Sequence, residues 1–238
     1  MARDCSALME IRLQFCRRSN PLYKSFRDRH YIPNNGCHGQ QAHYLVFLDD
    51  QHKGIISGAS AVYAVKARDQ FFGLSKDKDQ KRVQLSSLIN NVVYRLEDAP
   101  HGIASQVLAR WRRQVAADWE ELYQVRVAGF ETFIIEEDLP DGRRRKGTLY
   151  QADNWTLLGE TAGNTKAHHS KSSSGGMNTP HTRVSVVRKL LLVRKVKGVP
   201  LATTYEPTWR DPMKGKRLAA VREELLARDR IDQLRLFC

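Results

Sequence analysis

The chain has 238 residues, 41% of them hydrophobic, enough for one sizeable domain with a core of its own. Its formal net charge of +13 and pI of about 9.8 suit a polyanionic partner, nucleic acid first and a membrane surface second. No apolar run approaches a membrane span, no signal peptide is visible, and Cys5, Cys16, Cys37 and Cys238 show no CxxC spacing. Neither a disulfide framework nor a zinc site is suggested, and a reducing cytoplasm is the expected setting.

Taken in order, residues 7–16 are mildly apolar and predict a short strand or helix. Residues 21–30 read as a helix with Leu22, Phe26 and His30 on one face, followed by a turn at Pro33–Gly36. Cys37, His38 and His43 match no standard metal spacing and read as ligand-type residues met by chance. Ala42–Leu48 is a strand, Asp49–Gly54 a hairpin turn, and Ile55–Tyr63 the returning strand. The small residues of that return predict a close neighbour. Residues 64–73 form a helix or loop ending in a turn, and Lys76–Arg82 a charged, solvated loop.

The centre of the chain is Leu88–Tyr123. Leu88–Tyr94 is rich in branched and aromatic residues, as a buried strand requires. Pro100 and Gly102 punctuate the chain. From Ile103 the apolar positions Val107, Leu108, Trp111, Val115, Trp119 and Leu122 keep a helical period. A helix N-terminus offers unpaired N–H groups, and Gly102-Ile-Ala104 would let a phosphate approach them; taken alone, the same residues read first as an ordinary turn. Residues 126–135 predict the next strand, and Glu136–Lys146 a charged excursion. Its end, Arg143-Arg144-Arg145-Lys146, is either a solvated tip or a phosphate contact. A short helix at 148–153, a turn at Asp153-Asn154 and a strand at Trp155–Leu158 follow. Asn164–Thr182 is poor in apolar residues. Residues 183–196 are one or two strands with interleaved basic residues, either a protected edge or a face for a duplex. Lys214–Phe237 is an amphipathic helix with Leu218, Val221 and Leu225 inward.

This series resembles the GCN5-related N-acetyltransferase (GNAT) fold, an α+β architecture with a mixed, mostly antiparallel sheet flanked by helices. The resemblance implies acetyl-CoA as donor, its pyrophosphate at His101, Gly102, Ile103, Ala104 and Ser105. The turn Ala99-Pro-His-Gly102-Ile-Ala104 keeps the second half of that superfamily's pattern and lacks its leading Arg or Gln. Tyr150 stands where the superfamily often places a general acid; on its own it reads as a core aromatic.

A narrower set of short motifs spans about residues 20–166: His30-Tyr31, Arg68-Asp69, Asn90-Asn91, Ala104-Ser105, Asp118-Trp119, Glu131-Thr132-Phe133 and Gly147-Thr-x-Tyr-x-Ala-x-Asn-Trp155. Together they resemble the DruA family of Druantia anti-phage systems and the phage Mom DNA-modification proteins. The Mom resemblance implies an enzyme that places a carbamoylmethyl group on N6 of adenine in double-stranded DNA and so evades restriction. It suggests iron as a metal, although no ligand set is assigned. It implies catalytic roles for Tyr150, Glu131, Tyr31, His30 and Asp153. Asn154, Trp155, Arg68, Asn91 and the run Arg143, Arg144, Arg145 and Lys146 are the implied DNA contacts. Two alternatives stand beside this: a DruA-like nucleic-acid-binding subunit without transfer chemistry, and a conventional N-acetyltransferase. The expected division is a catalytic domain at 1–166, a linker at 167–182 and a basic C-terminal segment at 183–238 packed on it, with no membrane partner.

Overall fold

The computed structural model describes residues 9–30, 39–138, 142, 144–161, 188–205 and 212–235. In chain order the strands are β1 (Ile11–Cys16), β2 (Gln41–Leu48), β3 (Gln51–Ser60), β4 (Leu88–Leu96), β5 (Gly129–Ile134), β6 (Glu137–Asp138), β7 (Arg144–Arg145), β8 (Thr156–Glu160) and β9 (Leu190–Lys195). The helices are α1 (Pro21–Asp28), α2 (Lys66–Phe72), α3 (Lys78–Leu85), α4 (Ile103–Tyr123), α5 (Thr148–Ala152) and α6 (Pro212–Arg235). Seven strands make one sheet in the order β1-β2-β3-β4-β5-β9-β8, while β6 and β7 form a separate ribbon. Every neighbouring pair is antiparallel except β4 and β5. The class is α+β, a mixed and mostly antiparallel sheet flanked by helices, as expected.

Alternation along the strands gives the sheet two apolar faces. Leu13, Tyr44, Ile56, Ile89, Phe130 and Leu192 join one core with Trp111 and Trp119 of α4 and Leu225 of α6. On the other face Leu45, Ile55 and Val93 pack with Tyr23 and Phe26 of α1, and Leu88, Leu191 and Val193 with Phe72 of α2. The close neighbours predicted for β3 are Ile89 of β4 and Trp111 of α4: a Cβ on Gly58 would lie 2.6 Å from the first and 3.2 Å from the second. Asp118 of α4 receives Arg228 of α6 at 2.8 Å and the Tyr44 hydroxyl at 2.6 Å, a buried structural carboxylate.

Several details differ from the sequence reading. Lys78–Leu85 is helical because Asp77 caps it, its side chain accepting from the N–H groups of Asp79 and Gln80. Leu22 of α1 is exposed, and Tyr23 takes the inward position. Gly54 lies inside β3 rather than in the turn, where a Cβ would strike the Arg95 carbonyl at 2.2 Å. The turn itself is Asp49-Asp50, both at positive φ. β9 is not an edge strand: it sits between β5 and β8 with Leu190–Val193 buried, so its apolar side chains rather than its basic ones decide its place. Cys37, His38 and residues 164–182 lie outside the described residues.

His43 of β2 is buried, with Nδ1 3.0 Å from Ser57 Oγ and Nε2 3.1 Å from Gln41 Oε1; Ser57 Oγ also meets the Tyr23 hydroxyl at 2.8 Å. Burial first, then the charges of Arg18, Arg222 and Arg27, lower its pKa from 6.5 to about 4. Below pH 6.5 the unfolded chain therefore takes up a proton that the folded chain refuses until about pH 4. Its contribution is intact above pH 6.5 and is lost as the pH falls toward 4. Between pH 6.5 and 5 this group alone costs about 2 kcal/mol. Urea midpoints at those two pH values are expected to differ clearly in the wild type and much less in His43→Gln. Half-buried His52, whose pKa burial also lowers, keeps part of the slope.

Candidate active-site cleft

The parallel ladder between β4 and β5 contains only Leu88–Gly129, Ile89–Phe130 and Asn90–Glu131. Beyond it β4 stays on β3 and β5 stays on β9, so the two strands part. The gap is a cavity of about 450 Å³, a size usual for ligand sites. Asn91, Val92 and Tyr94 form one wall, Thr132, Phe133 and Ile134 the other. Gly147–Tyr150 closes it, Ala104 borders it, and His30, Arg95, Arg144, Arg145 and Lys146 also line it.

Side chains satisfy the parted backbone. Thr132 Oγ1 donates to the Asn91 carbonyl at 3.0 Å. The Tyr150 hydroxyl donates to Asn91 Oδ1 at 2.6 Å. Asn91 Nδ2 in turn donates to the carbonyls of Ser57 at 2.9 Å and Val93 at 3.3 Å. Those carbonyls fix the amide, because a flipped one would press its oxygen against them. While the bond to Asn91 holds, Tyr150 can present only an acceptor to the cavity. The Tyr94 hydroxyl donates to the Ala104 carbonyl at 2.7 Å and so ties β4 to the first turn of α4. Burial, and then the neighbouring Tyr150, raise the Tyr94 pKa well above its ordinary value.

Of the residues implied by sequence, His30, Asn91, Ala104, Arg144, Arg145, Lys146 and Tyr150 meet at the cavity. Tyr31 and Arg143 lie outside the described residues. At the turn, His101 and Gly102 are exposed just beyond the lining, and Gly102 has φ 83° with no atom within 4 Å of where a Cβ would stand. That open space suits the close approach of a phosphate to the first turn of α4. Ile103 points into the core, and its N–H is spent on the Pro100 carbonyl at 3.3 Å. Ser105 Oγ donates to the Gly102 carbonyl at 3.0 Å, within its own turn.

Four implied residues have other tasks. Glu131 is fully buried, pairs with the Arg68 guanidinium and accepts the Val62 N–H at 2.8 Å. Burial raises its pKa, opposed by Arg68. Arg68 is equally buried and also binds Asp69 at 2.7 Å, so it reaches no duplex. Asp153 takes Arg112 through both oxygens, at 2.5 and 2.6 Å, and the Trp155 indole N–H at 2.9 Å. Trp155 is a core ring against Phe130 and Tyr150, with no face for a base. Asn154 occupies the turn at φ 58° and does not line the cavity. The basic run is partly offset: Arg145 pairs with Glu137 at 2.7 Å, and Arg144 lies 3.8 Å from Glu136 and Asp138. Among the described residues no group of three His, Cys, Asp or Glu could hold a metal ion, so the iron finds no ligand set there. Nor does any described helix have the length and apolarity to cross a membrane. The sequence reading missed Tyr94 and Thr132, whose signal was a polar atom in a strand beside the Gly102 turn.

If Asp153 is a clamp, Arg112→Ala leaves a buried carboxylate without its main partner and costs about 3 kcal/mol. Adding Asp153→Ala is expected to recover much of that loss. Denaturation of both singles and the double gives the coupling; additive losses would remove the clamp.

Among solved structures the chain is similar to a GNAT family acetyltransferase from Elizabethkingia anophelis with acetyl-CoA bound, at 8% identity over 78% of this chain and 98% of that one, TM-score 0.44. It is also similar to an IAA acetyltransferase from Bacillus cereus, at 8% identity over 79% of this chain and 100% of that one, TM-score 0.44. A Bacillus subtilis acetyltransferase in complex with CoA aligns at 6% identity over 79% of this chain and 99% of that one, TM-score 0.42. No curated protein matches the chain in sequence. The family profile described as Druantia protein DruA matches residues 6–189, from before β1 to the threshold of β9, and the chain belongs to the DruA family.

Proposed function

We propose that this chain is an acyltransferase-type enzyme that modifies adenine in double-stranded DNA, placing a carbamoylmethyl group on N6 as the resembled Mom proteins do. One observation carries the reading: one cleft is lined by Tyr150, whose hydroxyl bonds to Asn91 of the same lining, and by cations of β4 and β7. A polyanion is drawn to such cations, and the target base has to leave the duplex stack to enter.

The cleft suits a CoA thioester in its parts. Ala104 and the open turn at Gly102 would take the pyrophosphate, and the parted strands the arm. A CoA thioester alone would give an N6-acyl product, its C–S bond breaking as the N–C bond forms and the thiol leaving. The carbamoylmethyl product needs N6 bonded to a methylene, and so a donor that carries a leaving group on the CH2 of a –CH2–C(O)NH2 unit. The protein's own task is to place the amine and manage its proton. The Tyr150 oxygen accepts from the N6 amine while its proton rests on Asn91 Oδ1. Rotation about the phenol C–O bond then carries that proton to the departing group of the donor, and the phenolate so formed takes the proton from N6.

A second reading keeps the fold and the DNA but not the chemistry: a nucleic-acid-binding defence subunit. Ala99, standing where the GNAT-like turn has Arg or Gln, favours it.

Mass spectrometry of nucleosides from DNA of expressing cells, beside an empty vector, separates these. The expected product is deoxyadenosine heavier by one carbamoylmethyl group, reduced about a hundredfold in Tyr150→Phe. Unmodified DNA from well-folded protein would shift the reading to the binding subunit. Acetylated protein or small molecules instead would point to a conventional acetyltransferase.

A further inference from the structure

We propose that the loop after β3 and the adjoining edge of α3 form a docking surface for a nucleic-acid strand, with an unpaired base stacked on Tyr63. It shares the partner class of the reading above and none of its chemistry. Val62 and Tyr63 are 44% and 41% exposed, unusual for large apolar side chains here. Yet the loop is anchored. The Val62 N–H donates to Glu131 Oε1 at 2.8 Å, and its carbonyl accepts from Arg68. Arg68 and Glu131 are both wholly buried. Burying such a pair is costly, and what it fixes is the conformation of an exposed dipeptide.

Cations stand over the ring, Lys81 Nζ 4.7 Å and the Arg82 guanidinium 5.9 Å from its centroid, so a stacked base takes their place as phosphate draws them aside. Lys66, Lys76 and Lys78 are exposed on the same segment. Arg82 meets Asp79 at 3.2 Å in an exposed pair that exchanges for phosphate at little cost, while Lys81, held by Asp69 at 2.5 Å, is more enclosed and gives up more to do so. A second cavity, of about 300 Å³, shares Ala61 and Arg82 with this surface and adds Arg222, Tyr123 and Tyr205, room for the next nucleotide. Aromatic faces that stack any base, beside cations that follow the backbone, are how single strands are held without sequence preference.

The test is fluorescence anisotropy with the full chain, no acyl donor, and a fluorescein-labelled mixed-sequence DNA oligonucleotide, single-stranded and as duplex. Tyr63→Ala is expected to weaken single-strand binding about tenfold or more, while Tyr63→Trp retains it. Neither substitution should alter binding to heparin, which has charge but no bases. Lys81→Gln with Arg82→Gln should lower the slope of log K against log salt by about 1.4. Wild-type single-strand affinity in Tyr63→Ala, or an equal loss for heparin, would overturn the proposal. So would a wild-type chain that binds no DNA, which would leave the surface to a protein partner. Tyr63-dependent binding without any modified nucleoside would sink the enzymatic reading and leave this one standing; modified DNA with Tyr63-independent binding would do the reverse.

Discussion

Three residue pairs hold β4 to β5, and because they run parallel no tight turn can join them. The 21 residues of α4 make the crossing. Their apolar stripe lies on the sheet, with Trp111 over Gly58. Past Asn90 each strand follows its outer neighbour, and the ladder between them ends. The parted backbone would be costly if left bare. Thr132 supplies a hydroxyl to the Asn91 carbonyl, and α5 closes the gap from the end. Gly147, at φ 72°, lets that segment lie against Ile134 and Leu192, where a Cβ would come within 2.7 Å of the isoleucine. Cleft, helix N-terminus and tyrosine are thus consequences of one early end to a ladder.

Two buried ion pairs hold the irregular segments around this frame. Glu131 and Arg68 anchor the chain after β3, on the face covered by α2. Asp153 and Arg112 anchor the turn between α5 and β8 to α4. In each, further hydrogen bonds complete the carboxylate, which is what makes burial of the charges tolerable. Such pairs are stiff, since removing one partner strands the other. The tyrosine at the cleft therefore rides on a short helix whose exit is fixed by charge rather than by its five-residue length.

The central unit was legible in the sequence because its signals are local. The period from Ile103 to Leu122 places α4, and Gly102 marks its start. Tyr150 and Asn91 were found by resemblance, and the cavity joins them. What stayed hidden depended on distant partners. A carboxylate in an apolar strand looks the same whether it will serve as a base or meet a buried arginine 63 residues away, and Glu131 proved to do the latter. Asp153 has the same ambiguity, resolved by Arg112. Lys76–Arg82 looked solvated because its charges outweighed one capping aspartate. The place of β9 could not be read, since strand order is settled by which apolar faces meet.

The lining also separates two kinds of acceptor. Among the described residues it holds no carboxylate, and Tyr150, Asn91 and Thr132 are uncharged groups. A lysine or terminal amine arrives as a cation and has to lose a proton before it can attack, yet only an imidazole, His30, is of a type that titrates near neutral pH there. The N6 amine of adenine is different. Its lone pair is delocalised into the ring, so it is already uncharged and needs an acceptor for its N–H as the new bond forms. A phenol oxygen held by a fixed amide accepts that N–H as a hydrogen bond, and takes the proton only once its own has gone to the leaving group. The surrounding cations, Arg144 and Arg145 only in part offset by their acidic neighbours, repel an ammonium and attract phosphate. Neutral polar groups inside and positive charge around them are what the proposed nucleobase substrate would use, carried in by its backbone.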